Sequence, residues 1–240
     1  MIRGFYSASS GLRAQQAGMD VAANNLANVN TVGFKPGRVS FTDLMYQNLN
    51  RATADNPAMV GHGVKVNTVD KNMQSGGPTP TSYPLDFYIN QENGFFAVQT
   101  ANGDIQYTRA GNFIMSDDGG TFYLSAPNGD RVLDVDGSEI ELELDENNNP
   151  IVDASLIGVY SFANPYGLAQ IGSNRFVETD TSGEAEAIEI PSIRNGYLES
   201  SAVEVSNEMV RIIESSKAFS FNSRMVQVAD EVEQTINSMR

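Results

Sequence analysis

Apolar residues recur every seven positions at the start of the chain, at Phe5, Leu12, Met19 and Leu26. Ala8, Ala22 and Val29 follow three of them by three positions, and Gln15 fills the remaining slot. Such a row is the inner seam of an amphipathic helix over residues 4–29. The seam is narrow and partly built from small side chains, which suits close packing. Asn28, Asn30 and Gly33 predict its end, because Asn and Gly tolerate left-handed backbone. Pro36 prevents easy continuation.

The other end mirrors this pattern. Val205, Met209, Ile212, Phe219 and Val226 follow a four-three spacing, with Ser216 and Ser223 in the weaker slots. The row then slips by one residue through Met225, Ala229, Val232, Ile236 and Met239, a local irregularity in a heptad. Ser201 and Glu204 have the spacing of a capping box, so the helix is predicted to start there. About 35 residues of helix would be roughly 50 Å long.

Between the two seams the period changes to that of strands. Short apolar runs such as Phe95-Phe96-Ala97-Val98 and Phe122-Tyr123-Leu124 are separated by Asn102-Gly103, Asn128-Gly129 and Asp136-Gly137. Asn-Gly and Asp-Gly between such runs are hairpin signals. Glu139, Glu141 and Glu143 alternate with Ile140, Leu142 and Leu144, as on the wet face of a strand. Residues 84–199 therefore read as an antiparallel β-rich domain. Residues 35–83 read as a connecting segment, with a short helix or strand at 41–49, a turn into a strand at 61–66 and a linker at 75–80. The predicted fold is α+β: two long terminal helices, residues 1–34 and 200–240, form a coiled-coil-like element around the inserted β domain.

Composition narrows the chemistry. Cysteine and tryptophan are absent, and His62 is the only histidine. No disulfide, thiolate metal site or second imidazole is available. Of the net charge of −15, most lies in residues 61–197, where twenty Asp/Glu face six Lys/Arg. So acidic a surface repels phosphate backbones, so no nucleic-acid partner is expected. No apolar run approaches the ~20 residues that span a bilayer, so no membrane insertion is expected. The first residues lack the apolar core of a secretory signal, which taken alone reads as cytosolic.

Candidate sites dissolve on inspection. Asp145-Glu146-Asn147-Asn148-Asn149 begins like a calcium loop, but Pro150 and Leu156 stand where that loop needs Gly and Glu. Asp130, Asp134 and Asp136 with the three alternating glutamates offer carboxylates, but the glutamates share the solvent face of a strand. His62 sits in a Gly-His-Gly turn and has no serine in a nucleophile-elbow setting to serve. Catalytic, cofactor-binding and metal-ligating residues are each assigned as none.

Asn24-Asn25-Leu26-Ala27-Asn28, followed by Asn30-Thr31-x-Gly33-Phe34-Lys35, resembles the N-terminal signature of the flagellar basal-body rod and hook family. Gly196-Tyr197-Leu198-Glu199-Ser200-Ser201-Ala202-Val203 is similar to the family's lead into its last helix, with Ala202 in place of the usual Asn. Pro84-Leu85-Asp86-Phe87, Gly94-Phe95-Phe96-Ala97-Val98 and Tyr107-Thr108-Arg109-Ala110-Gly111-Asn112-Phe113 are similar to the rod proteins' central domain.

The resemblance implies a structural, non-enzymatic rod subunit located in the flagellar basal body. It implies export through the flagellar type III apparatus without a cleaved signal, which replaces the cytosolic reading. It implies helical assembly with copies of itself and with other axial proteins of the rod and hook, through terminal helices that order on assembly. Ile2-Arg3 and Phe41-x-Asp43-Leu44-x-Tyr46-Gln47 point to the distal rod type, with proximal rod and hook-related proteins as alternatives. The expected assembly seam is Phe5, Leu12, Met19 and Leu26 with Val205, Met209, Ile212, Phe219, Val226, Val232 and Ile236. From a different class, an exported β-rich binding module or a carbohydrate-active enzyme would need a ligand site in residues 84–199.

Overall fold

The computed structural model describes residues 3–48, 59–144 and 150–239. It divides into a helical unit, Met1–Ala27, Gly37–Asp70 and Glu204–Arg240, and a β-rich unit, Asn28–Pro36 and Lys71–Val203. The α+β reading holds: a helix stands at each end with strands between. The candidate calcium loop, residues 145–149, lies outside the described residues.

In the helical unit, α1 spans Arg3–Ala27 and α2 spans Val205–Ser238. They pack on each other. A Cβ on Gly11 would meet the Asn222 side chain, and one on Gly18 would meet Ser215. Seven residues forward on α1 thus correspond to seven backward on α2, so the helices are antiparallel. Strand Gly37–Asp43 pairs with Val64–Lys71, and Tyr46–Asn48 pairs with Met59–Gly61 in antiparallel register. The segment expected to connect, residues 35–83, therefore carries strands that cluster partly with the helices. Of the stretch 41–49, the described residues 41–43 and 46–48 are strand rather than helix.

Helix α2 begins three residues later than the capping-box spacing predicts, with Glu204 rather than Ser201 at the N-cap. Ser201 Oγ accepts a bond from Val203 N at 3.4 Å, and the N-cap residue Glu204 makes no side-chain cap bond. The backbone before it is already committed to extended pairing. Ser200 N donates to Gly77 O, and Ala202 N donates to Phe34 O. Glu204 is still extended, at φ −96 and ψ 105, so the first helical residue is Val205.

In the β-rich unit the strand Gly94–Gln99 is central. It pairs antiparallel with Ile105–Thr108, Arg131–Val132 and Val159–Ser161. Beyond these, Arg175–Val177 and Ala169–Gly172 extend one side, and Thr121–Ser125 and Ile114–Asp118 extend the other. Phe96 and Val98 point into one core with Phe87, Phe113, Leu124 and Ile157. Phe95 and Ala97 point into a second core with Tyr107, Phe162 and Phe176. Burial on both faces explains the unbroken apolar run in a chain whose outer strands alternate. Edge-to-face ring pairs, Phe96 with Phe113 at 5.1 Å and Tyr107 with Phe162 at 4.8 Å, fix the two cores. Ile140 and Leu142 are buried while Glu139, Glu141 and Glu143 are exposed, as the alternation predicts.

Candidate assembly surface

The α1 face turned to α2 is built from small residues. Ala8, Gly11, Ala14, Ala22 and Asn25 are buried, and Gln15 and Gly18 are half-buried. The row 8, 11, 15, 18, 22, 25 keeps heptad spacing but lies beside the large-residue row of the expected seam. Leu12, Met19 and Leu26 flank it, half-buried, and Phe5 is exposed. Small side chains win the centre because they let the two backbones approach. On α2, Glu208, Ile212, Ser215, Phe219, Asn222, Val226 and Ala229 are buried or half-buried, on one side of the helix. Val205, Met209, Val232 and Ile236 of the expected seam are exposed.

A second apolar stripe on α2 lies outside the predicted seam except at Met225, which the slipped row includes. Val210, Ile213, Phe221, Met225 and Val228 are all exposed, with Phe221 at 64 %. They lie on the side away from α1. The signal was present in the spacing of 210, 213, 221 and 228, but the seam through 212, 219 and 226 has the same period and masked it. Beyond Ala229 every described residue of α2 is exposed, because α1 has no further turn to lie against it.

Asn25 shows what the signature residues do in the helical unit. Its Nδ2 donates to Gly37 O and its Oδ1 accepts from Gly37 N, both at 2.8 Å. One buried side chain thus satisfies both backbone groups of the residue that opens a strand. From Asn28 onward the signature lies in the β-rich unit. Asn28 and Thr31 form the turn after α1, with Thr31 N donating to Asn28 O at 3.1 Å. Gly33 has φ +64, and a Cβ there would sit 2.7 Å from the Arg109 carbonyl carbon, so only glycine fits. Ala27 and the described Asn24 and Asn30 side chains are exposed, and Phe34 is buried under the Lys71 ammonium, 5.1 Å from its ring.

Lys35 ends the signature in a buried charge cluster. Its Nζ is 2.7 Å from Glu199 Oε1, and Arg109 Nη1 is 3.4 Å from Glu199 Oε2. All three residues are 2 % exposed or less. Lys35 Nζ also donates to Gln74 O, and Gly76 N donates to Glu199 Oε1. Arg109 Nη2 donates to Ser75 Oγ and to the carbonyls of Gln91 and Glu92. Burial pulls the Lys35 ammonium and the Arg109 guanidinium below their ordinary pKa values, against the opposing pull of Glu199. The cluster ties strand Tyr197–Glu199, the segment 28–36 and the turn after Thr108 together. Its three charged side chains are withdrawn from solvent and face one another.

The carboxylates weighed as a catalytic pair are engaged elsewhere. Asp130 pairs with Arg175 at 2.7 Å, and Glu139 and Asp118 both pair with Arg131. His62 lies in an exposed turn and its Nδ1 donates to Met45 O at 2.9 Å. Among the described residues no group of three His, Asp or Glu converges as a metal site. Among them also, no helix is long and apolar enough to cross a membrane.

Comparison with known proteins gives one answer along the chain. Residues 5–35 match the family described as flagella basal body rod protein. Residues 90–208 match the flagellar hook protein FlgE/F/G D1 domain, and residues 194–239 match the flagellar basal body rod FlgEFG protein C-terminal family. The chain is 34% identical to the flagellar basal-body rod protein FlgG of Bacillus subtilis over 100% of both chains. It is 33% identical to FlgG of Caulobacter vibrioides over 98% of each. The flagellar hook protein FlgE of Borreliella burgdorferi is 39% identical, over 49% of this chain and 28% of its own length. The chain belongs to the flagellar basal-body rod protein family, whose members are structural subunits of the flagellum rather than enzymes.

Proposed function

We propose that the chain polymerises helically into the distal rod of the flagellar basal body through α1 and α2, and that it reaches that place unfolded through the flagellar type III apparatus. The observation that carries this reading is α2. It bears apolar residues on two sides, and α1 covers one. A helix apolar around its circumference is stable in water only when other surfaces enclose it. Burying the open halves of Phe221, Met225, Val228, Val232 and Ile236 at about 1 kcal/mol each would contribute about 5 kcal/mol per subunit. Full-length similarity to proteins named FlgG, against a partial match to a hook protein, favours the rod over the hook. The absence of cysteine suits a chain threaded unfolded, since no disulfide can form early.

The test is Phe221→Asp and Val228→Asp, made separately in the full chain. Both positions are exposed, so the helix signal and melting of the isolated protein should stay as in the parent. Swimming and complete rods in isolated basal bodies should be lost. Variants that swim and build rods normally would refute the proposal.

A further inference from the structure

The helical unit contains a cleft of about 400 Å³ walled by α1, strand Gly37–Asp43 and the first turns of α2. Its apolar lining comes from Val21, Ala22, Val39 and Phe41. Glu208 also lines it and is only 4 % exposed. Its Oε1 accepts from Arg211 Nη1 at 2.8 Å. Its Oε2 is buried and has no hydrogen-bond partner among the described residues. A carboxylate oxygen withdrawn from water without a donor is a costly arrangement that folding alone gains nothing from. It becomes favourable when something entering the cleft brings the donor. The lining charges balance, Arg38 and Arg211 against Glu208 and Glu214, and Arg211 reaches only Oε1, so the preference is set by the donor that Glu208 Oε2 lacks.

We propose that this cleft receives the open α2 face of a second copy of the chain, with Lys217 or Arg224 of that copy donating to Glu208. This deepens, and rests on, the reading that the chain polymerises through its terminal helices. Residues 210, 213, 217, 221, 224 and 228 follow one another by three or four and are all exposed. That stripe therefore offers apolar side chains for the walls and two cations for the carboxylate. The free end of α2 is the competing occupant from the same chain, and its charge excludes it. Its described charged residues, Asp230, Glu231 and Glu233, are all acidic and would meet Glu208 with like charge.

The experiment uses the full-length protein, followed by sedimentation velocity over a concentration series, with thermal melts as the folding control. Glu208→Gln keeps the shape and removes the charge. The expected result is an unchanged melting temperature with half-assembly at tenfold or higher concentration. Lys217→Gln and Arg224→Gln are made in parallel, and at least one should match the loss. Benzoylphenylalanine in place of Val39 should crosslink to a peptide from residues 210–228 of another chain. Parent protein that never assembles would fail the polymerisation reading itself. Parent that assembles, with Glu208→Gln assembling equally, overturns this inference and leaves that reading standing. A loss with Glu208→Gln that neither cation variant reproduces, or a crosslink to any other segment, overturns the choice of occupant.

Discussion

Replacing Glu199 by Gln should unfold the β-rich unit well before the helical one. In the parent, Glu199 holds one oxygen for Lys35 and Gly76 N and directs the other to Arg109. Gln keeps the shape but leaves two buried cations with no counter-charge. Breaking a buried pair from one side costs about 3–5 kcal/mol. Against a total stability of about 5–15 kcal/mol this is a large fraction. At about 2–4 °C per kcal/mol, it lowers the melting temperature by roughly 10 °C. Lys35→Met should cost less, about 1–2 kcal/mol, because it removes the cation that burial penalises and leaves Glu199 paired to Arg109.

The assay follows from composition. There is no tryptophan, and seven of the nine tyrosines lie in the β-rich unit, so near-ultraviolet circular dichroism reports that unit. Far-ultraviolet helix signal reports α1 and α2. The near-ultraviolet transition should move and the helix signal at low temperature should not. The Lys35 comparison carries its own pH check. Its folded pKa lies below the ordinary 10.5, so the unfolded chain binds more protons just below pH 10.5 and stability rises with pH there. Lys35→Met lacks that rise. Glu199→Gln within about 1 kcal/mol of the parent, or Lys35→Met as damaging as Glu199→Gln, would refute the argument.

Three further outcomes follow from single contacts. Asn25→Ala leaves both Gly37 backbone groups unpaired in a buried site, and should cost about 2–4 kcal/mol in urea unfolding followed by helix signal. Gly111→Ala would place a Cβ 1.9 Å from Phe87 O, a backbone atom that cannot yield, and should prevent soluble expression of a folded β-rich unit. Burial pushes the Tyr107 hydroxyl up to about 12, with Glu178 and Tyr160 adding to it. The unfolded tyrosine ionises near 10, so stability should fall as pH rises from 10 to 12. Tyr107→Phe should remove about 2–3 kcal/mol of that fall, read by melts across the range.

Periodicity made the two terminal helices legible and also set a limit. It located α1 and α2 within a few residues but could not choose among parallel rows with the same period. On α1 the large residues Leu12 and Met19 drew attention, whereas Gly11 and Gly18 occupy the centre because backbone approach, not side-chain size, decides a close helix pair. On α2 two rows share the heptad, and only a partner tells which one is covered. The β-rich unit was legible where turns carry Asn-Gly or Asp-Gly: Gly103, Gly129 and Gly137 all adopt positive φ. It was opaque where the pairing is distant: Pro78–Pro80, expected as a linker, pairs with Tyr197–Glu199, whereas Tyr46–Asn48 and Met59–Gly61 pair with each other. The Lys35–Glu199–Arg109 cluster was equally invisible. Its members stand 164 and 90 positions apart in sequence, and nothing in their immediate neighbours marks them as buried.

That cluster and Asn25 together explain why the signature is a continuous string. Asn25 binds the backbone of Gly37 from the last turn of α1, inside the helical unit. Gly33 N donates to Glu199 O, and Lys35 meets the Glu199 carboxylate, inside the β-rich unit. Gly33 stands eight positions after Asn25, so the chain passes from one set of obligations to the other within a single turn. Each obligation is specific in atoms: two amide groups for one backbone residue, a left-handed φ against a carbonyl, an ammonium for a buried carboxylate. None tolerates a shift of one position, because that would aim the amide, the glycine and the ammonium at the wrong partners together. An insertion of one alanine after Asn28 should therefore damage the β-rich unit as severely as Glu199→Gln, although it removes no side chain. Near-ultraviolet melts would measure it, and an insertion that melts like the parent would show that the spacing is free and the string's continuity has another cause.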